Sequence, residues 1–174
     1  MAVLSGTRHD PLRGFKYRVV ITLPTQLGGT LEAGFQRISG LREESEVVEY
    51  RNGDELGGVR KLPGLVSYDN VTMERGQLLR GAADNDTLLQ WRQLIQAMAQ
   101  DGVVDSDEED IRGAMTIYVY RRGGVPGSST PDAEYHRQAI WPSVYEHSDL
   151  SGTDSEVWLE RVEFAVEAGE MSVP

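Results

Sequence analysis

The three histidines, His9, His136 and His147, are the side chains best suited to hold a metal or move a proton, and they are scattered along the chain. No His-x-x-x-His or Glu-x-x-His pattern brings two ligands to one face, the arrangement on which zinc sites are built. Surface or strand-packing histidines are the simpler reading. The chain has no cysteine, which removes disulfides, thiolate metal sites and cysteine nucleophiles together. The stretch 101–110 carries six carboxylates. It lacks the central Gly among alternating oxygen ligands and the terminal bidentate Glu of a calcium loop, so it reads as a solvated loop. Gly28-Gly29 and Gly123-Gly124 begin no Gly-x-x-x-x-Gly-Lys run and open no helix after a strand, so neither makes a phosphate loop. There is no Gly-x-Ser-x-Gly elbow, and no carboxylate pair stands out as a glycosidase couple. The sequence therefore predicts no catalytic, cofactor-binding or metal-binding residues, and a protein that is not an enzyme.

Two clusters point to binding more than to catalysis. Arg121-Arg122, beside Tyr118 and Tyr120, has the composition of a small nucleic-acid patch. Trp141 and Trp158 are aromatics of the kind that stack on sugars. Against the first stands the formal charge of −11, because gripping phosphates requires Lys and Arg that displace counterions. Hairpin-end charges and buried or interface aromatics explain both clusters without a ligand.

The elements that would carry these residues are mostly strands. In the segment 15–23, Phe15, Tyr17, Val19, Ile21 and Leu23 alternate with Lys16, Arg18 and Thr22, the period-two pattern of a half-buried strand stopped by Pro24. A second strand is expected over 33–39, ending at Gly40. The third, 45–52, mixes Val47, Val48 and Tyr50 with Glu46, Glu49 and Arg51, which suits a ribbon reaching out of the core. Asn52-Gly53 and Gly57-Gly58 are turn signals for it. Its return arm is expected over 59–65, broken by Pro63-Gly64. Residues 71–75 alternate again. From 84 to 100 the period changes: Leu88, Trp91, Ile95 and Met98 fall at helical spacing, with Asp84, Asn85 and Asp86 as capping candidates. Strands are expected over 114–120 and 134–141, joined by a long hairpin loop (121–131) and ended by Pro142. A last strand, 156–167, changes phase between Val157/Leu159 and Val162/Phe164/Val166, predicting a β-bulge at Glu160-Arg161. Seven or so strands and one helix imply a small β-barrel or sandwich.

At 174 residues the chain fits a single domain, 1–174. No apolar run approaches the roughly 20 residues that span a bilayer. Residues 1–10 lack a basic-then-apolar export pattern, which predicts a cytosolic origin and gives the sequons at Asn70 and Asn85 little meaning.

A series of segments, in order, resembles the inner-tube proteins of contractile phage tails and phage-tail-like injection systems. It comprises Asp10-Pro11-Leu12-Arg13-Gly14-Phe15-Lys16-Tyr17-Arg18-Val19, Phe35-Gln36-Arg37-Ile38-Ser39-Gly40-Leu41, and Glu49-Tyr50-Arg51-Asn52-Gly53 with Arg60-Lys61-Leu62-Pro63-Gly64. Val71 to Gly76, Leu88 and Trp91, Ala139-Ile140-Trp141-Pro142 and 156–167 complete it, over residues 10–169. The resemblance implies a β-barrel-like subunit that forms hexameric rings stacked into a hollow tube. Its partners are then further copies of itself, a sheath, baseplate or spike and cap proteins, and cargo in the lumen. The subunit is assembled in the cytoplasm and becomes part of a tail-like particle. The ribbon, about 43–65, is implied to reach the adjacent ring. From the residue types on it, Tyr50 and Leu62 are expected as apolar anchors of that contact and Glu49, Arg51, Arg60 and Lys61 as its polar rim. The alternatives are a phage tail tube conducting DNA and, from a different class, a monomeric β-sandwich binding module. The overall acidity predicts a lumen of negative or near-neutral charge.

Overall fold

The computed structural model describes residues 12, 14–51, 58–77, 86–101, 111–151, 153 and 156–173. Ten strands and one helix follow in the order β1 (Tyr17–Thr22), β2 (Thr30–Ala33), β3 (Arg37–Ser39), β4 (Glu43–Tyr50), β5 (Arg60–Tyr68), β6 (Val71–Gly76), α1 (Thr87–Asp101), β7 (Gly113–Val119), β8 (Ala133–His147), β9 (Leu159–Ala165) and β10 (Ala168–Ser172). Eight strands form one sheet. Its path is β2-β1-β7-β8-β9-β6-β3, with β10 added on β8. The two ends of that path, β2 and β3, are joined by Gly34-Phe35-Gln36 alone, so the sheet curls until its edges meet at one corner. Tyr17 ties that corner by donating its hydroxyl to the Phe35 carbonyl at 2.6 Å.

Period-two alternation selects the inner face as the sequence predicts. Val19, Ile21, Met115, Ile117, Val71, Met73, Val162 and Phe164 are all buried. Each such side chain contributes about 1.5–3 kcal/mol on leaving water. Helix α1 closes this core by burying Leu88 and Trp91, with Ile95 packed at its margin. The Trp91 ring lies tilted against Phe164 at 5.8 Å, and its indole N–H donates to the Ile111 carbonyl at 2.8 Å.

Four sequence expectations are corrected. The strand expected over 33–39 is two strands, β2 and β3, which pair with β1 and β6 respectively. Phe15 lies outside β1 and is exposed. Pro142 does not end β8, which runs on to His147. It lies past the last β7 pairing, Gly113↔Ile140, and beside a register shift at Ser143, where no further ladder N–H is called for on that side. The bulge expected at Glu160-Arg161 is absent, since β6 and β9 pair without a shift from Val71↔Phe164 to Gly76↔Leu159. Glu160 itself continues the buried face, ion-paired to Arg75 directly across the ladder. The apparent phase change was an acidic residue standing in a core position. Asp84, Asn85, the 52–57 turn and the acidic loop over 102–110 lie outside the described residues.

Candidate assembly surface

β4 and β5 form a two-stranded sheet of their own. Its base is closed where the Asp69 amide donates to the Arg42 carbonyl at 3.2 Å. Gly40, at the entry to the ribbon, has φ +83°, and a Cβ there would collide with the Asn70 carbonyl. Glycine is required by both conformation and space. The register runs Glu43↔Tyr68, Ser45↔Val66, Val47↔Pro63, Val48↔Leu62, Glu49↔Lys61 and Tyr50↔Arg60. Between Ser45 and Val47 the partner moves by three residues, so Gly64-Leu65 forms a bulge opposite Glu46. The irregularity expected at Pro63-Gly64 is there, and Pro63 is accommodated beside it.

The six predicted contact residues converge at the outer end of this ribbon. Tyr50 and Arg60 are opposite one another, as are Glu49 and Lys61, whose Nζ stands 3.9 Å from the carboxylate. Leu62 faces Val48, and Arg51 follows Tyr50 immediately after β4. Tyr50 is 50 % exposed and Leu62 49 %. They are therefore surface residues, several ladder pairs away from the ribbon's base at Glu43↔Tyr68. Every residue of β4 is exposed. Val47, Val48, Leu65 and Val66 add apolar surface that the sequence reading did not single out as contacts. By the register Val48, Tyr50 and Leu62 share one face of the ribbon, the kind of exposed apolar surface among which docking sites are found.

At the base of the ribbon the sequence reading missed a polar device. Arg137 of β8 has a fully buried side chain. Its Nη1 donates to Glu43 at 2.9 Å. Its guanidinium also lies 5.7 Å from the Tyr68 ring and 6.0 Å from the Tyr135 ring. Nε and Nη2 are buried without acceptors, and each such donor costs about 1–3 kcal/mol. The only signal in the sequence is a charged residue at an inward phase, two positions after Tyr135.

The remaining candidates do not assemble as chemistry. Arg121 is paired to Asp132 at 2.5 Å. Its hydrogen bonds, side chain first, hold that carboxyl below the usual range. Tyr120 is buried, so the basic-aromatic patch is not presented. Trp158 stacks on His147 at 4.4 Å, leaving one ring face occupied. Burial first, and the nearby Glu160 carboxylate second, raise the Tyr145 phenol. His136 does contact the Thr116 hydroxyl (3.2 Å) and Glu134 (3.1 Å). Thr116 lies on β7 and Glu134 and His136 on β8, two interior strands laddered on both sides, β7 by β1 and β8 and β8 by β7 and β10, so their backbone N–H groups are not presented as an oxyanion hole. Among the described residues no three His, Asp or Glu side chains converge as a metal site. A recess of about 460 Å³ lined by Tyr17, Ile38, Leu41, Ile117, Tyr135 and Met171 opens at the seam between β3 and β10.

The fold has close relatives in shape. It is similar to a chain in the structure of the anti-feeding prophage cap (tube terminating cap), with TM-score 0.72 and 18% identity over 100% of both chains. It is also similar to a chain of the anti-feeding prophage baseplate, with TM-score 0.71, 19% identity, 95% of this chain and 98% of that one. A chain of the PVC sheath–tube complex, an extracellular contractile injection system in its extended state, gives TM-score 0.65 and 16% identity over 94% and 93%. No sequence among curated proteins matches. The pattern of the T4-like virus tail tube protein gp19 family matches residues 13–170, nearly the whole chain. A mainly β barrel with one helix, an exposed two-stranded ribbon and this match together make the chain a structural tube protein, a member of the T4-like virus tail tube protein gp19 family.

Proposed function

We propose that this protein is the inner-tube subunit of a contractile injection system, forming hexameric rings that stack into a hollow tube. The observation that carries the reading is the β4–β5 ribbon, whose outer end exposes Val48, Tyr50 and Leu62 away from its own core. An isolated two-stranded ribbon is marginal in water, and one bearing apolar side chains is explained by docking on another copy. In this reading Tyr50 and Leu62 anchor the ribbon in the adjacent ring, and Glu49, Arg51, Arg60 and Lys61 form the rim of the contact. The sheath, baseplate and cap are its partners, in keeping with the sheath–tube, baseplate and cap assemblies in which the similar chains occur. The lumen conducts cargo, and the subunit performs no catalysis.

The test replaces residues 52–58 with a short turn and drops the outer ribbon pairs. The shortened subunit is expected to melt at nearly the native temperature and to form no tubes by electron microscopy. A shortened protein that stacks normally, or one that no longer folds, overturns the role assigned to the ribbon. A native protein that sediments only as a monomer overturns the tube reading. The neighbouring reading, a phage tail tube conducting DNA, is the less favoured one, because the similar structures belong to contractile injection particles. Electron microscopy of the native particle separates the two, because a capsid on the tube identifies a phage.

A further inference from the structure

We propose that Arg137 is a positioning residue that sets the angle of the ribbon on the barrel, and that its contact with Glu43 and Tyr68 is needed for assembly more than for folding. The inference rests on the tube reading above. Glu43 and Tyr68 are the basal pair of the ribbon, directly opposite each other in the β4–β5 register. Arg137 belongs to the barrel, paired through β8 with Gly169 of β10. A Cβ at position 169 would stand 2.6 Å from Arg137 Nη1 and 2.7 Å from the His136 carbonyl, so the glycine leaves the space in which the guanidinium turns toward the ribbon.

Two features make this a device of direction more than of stability. The buried guanidinium has one carboxylate partner, itself 39 % exposed, and two donors without acceptors. A well-packed apolar side chain would stabilise the barrel as well or better. What an apolar residue cannot supply is a directional bond to β4 on one arm of the ribbon while the ring of Tyr68 on the other arm lies against the same cation. It is a side-chain contact that joins both arms of the ribbon to the barrel, beside the approach of β5 to β10. A contact made at the base is multiplied along the strands, so a small rotation there moves Tyr50 and Leu62 by the most.

The chain has no cysteine, so two spin labels report the angle directly. They are attached in the full-length subunit at Leu65→Cys on the ribbon and Thr22→Cys on β1, both exposed positions. A single narrow distance distribution is expected with Arg137 present. Arg137→Met and Glu43→Gln are each expected to broaden it at least twofold, and the double variant to add little, because one removes the donor and the other the charge of the same contact. In the unlabelled protein each single variant should raise the critical concentration for tube formation about tenfold, with a melting temperature within a few degrees of native. Glu43→Gln keeps the test decisive if Arg137→Met does not fold, since Glu43 is half exposed. Unchanged distances and unchanged polymerisation in Glu43→Gln overturn the proposal. If the native protein fails to polymerise while the distances broaden as expected, the tube reading fails and the positioning role stands.

Discussion

The buried pair Arg75–Glu160 is the residue-scale feature with the largest consequence. Both side chains are almost wholly out of water, and Arg75 also lies over the Phe35 ring. Removing Glu160 takes from the buried Arg75 guanidinium the carboxylate directly across the ladder. Glu160→Leu is therefore expected to cost about 3–5 kcal/mol in denaturant unfolding, and Arg75→Met/Glu160→Leu to recover most of it. Trp91 carries a different kind of weight. It is fully buried, and its truncation to Ala removes both the packing on Phe164 and the bond to Ile111. About 3–5 kcal/mol is expected, by the same measurement. The exposed pairs set the acid limit. Hydrogen bonds from Arg18 hold the Glu32 carboxyl below its ordinary value, as those from Arg121 do for Asp132. A depressed folded-state pKa stabilises the protein above the ordinary carboxylate range and is lost as pH falls through the lower folded value. Thermal melting should therefore decline below about pH 4, and Asp132→Asn should flatten part of that decline. The contribution is small because these pairs face solvent.

Among the elements, β8 does the most to shape the barrel. Its first half pairs with β7 and β10, and its second half with β9. Two extra residues, Ala139 and Ser143, mark the changeover, since Gly113 and Ala114 face Ile140 and Gln138, and Pro142 and Val144 face Phe164 and Glu163. Ala139 sits at φ +50°, a left-handed conformation that costs an L-residue on the order of 1 kcal/mol. Ala139→Gly should stabilise the fold by up to about 0.5 kcal/mol after the added chain entropy of glycine is subtracted. A loss of stability on denaturation would mean that the Ala139 methyl packs to advantage. The bend is what lets one strand serve both halves of the curled sheet. It accounts for the Ala139-Ile140-Trp141-Pro142 segment in physical terms.

At the scale of the whole molecule, charge opposes association. Subunits of net charge −11 repel as they approach, and in the proposed tube the ribbon's apolar surface has to overcome that repulsion at short range. Raising salt from about 0.05 to 0.5 M shortens the screening length several-fold. The concentration at which tubes appear by sedimentation should therefore fall as salt rises. A threshold indifferent to salt would mean that charge repulsion is not what limits stacking.

Strand positions, the helix and its buried Leu88 and Trp91 were legible in the sequence, because a period of two or 3.6 follows from backbone geometry and needs only local residues to read. The ribbon was legible for the same reason inverted, since charges spread over both faces of 43–65 leave no side for a core. Tertiary structure alone decided where polar residues replace apolar ones. Glu160 reads as solvent-facing until Arg75 is placed across from it, and Arg137 reads as an ordinary strand charge until Glu43 and Tyr68 are folded over it. It also decided that β8 passes through Pro142, because the ladder that would have needed its N–H ends at Gly113. Pairing across 85 and 94 residues of sequence supplies those partners. No local pattern encodes a partner so distant, whereas burial and register, once formed, leave the charge no other.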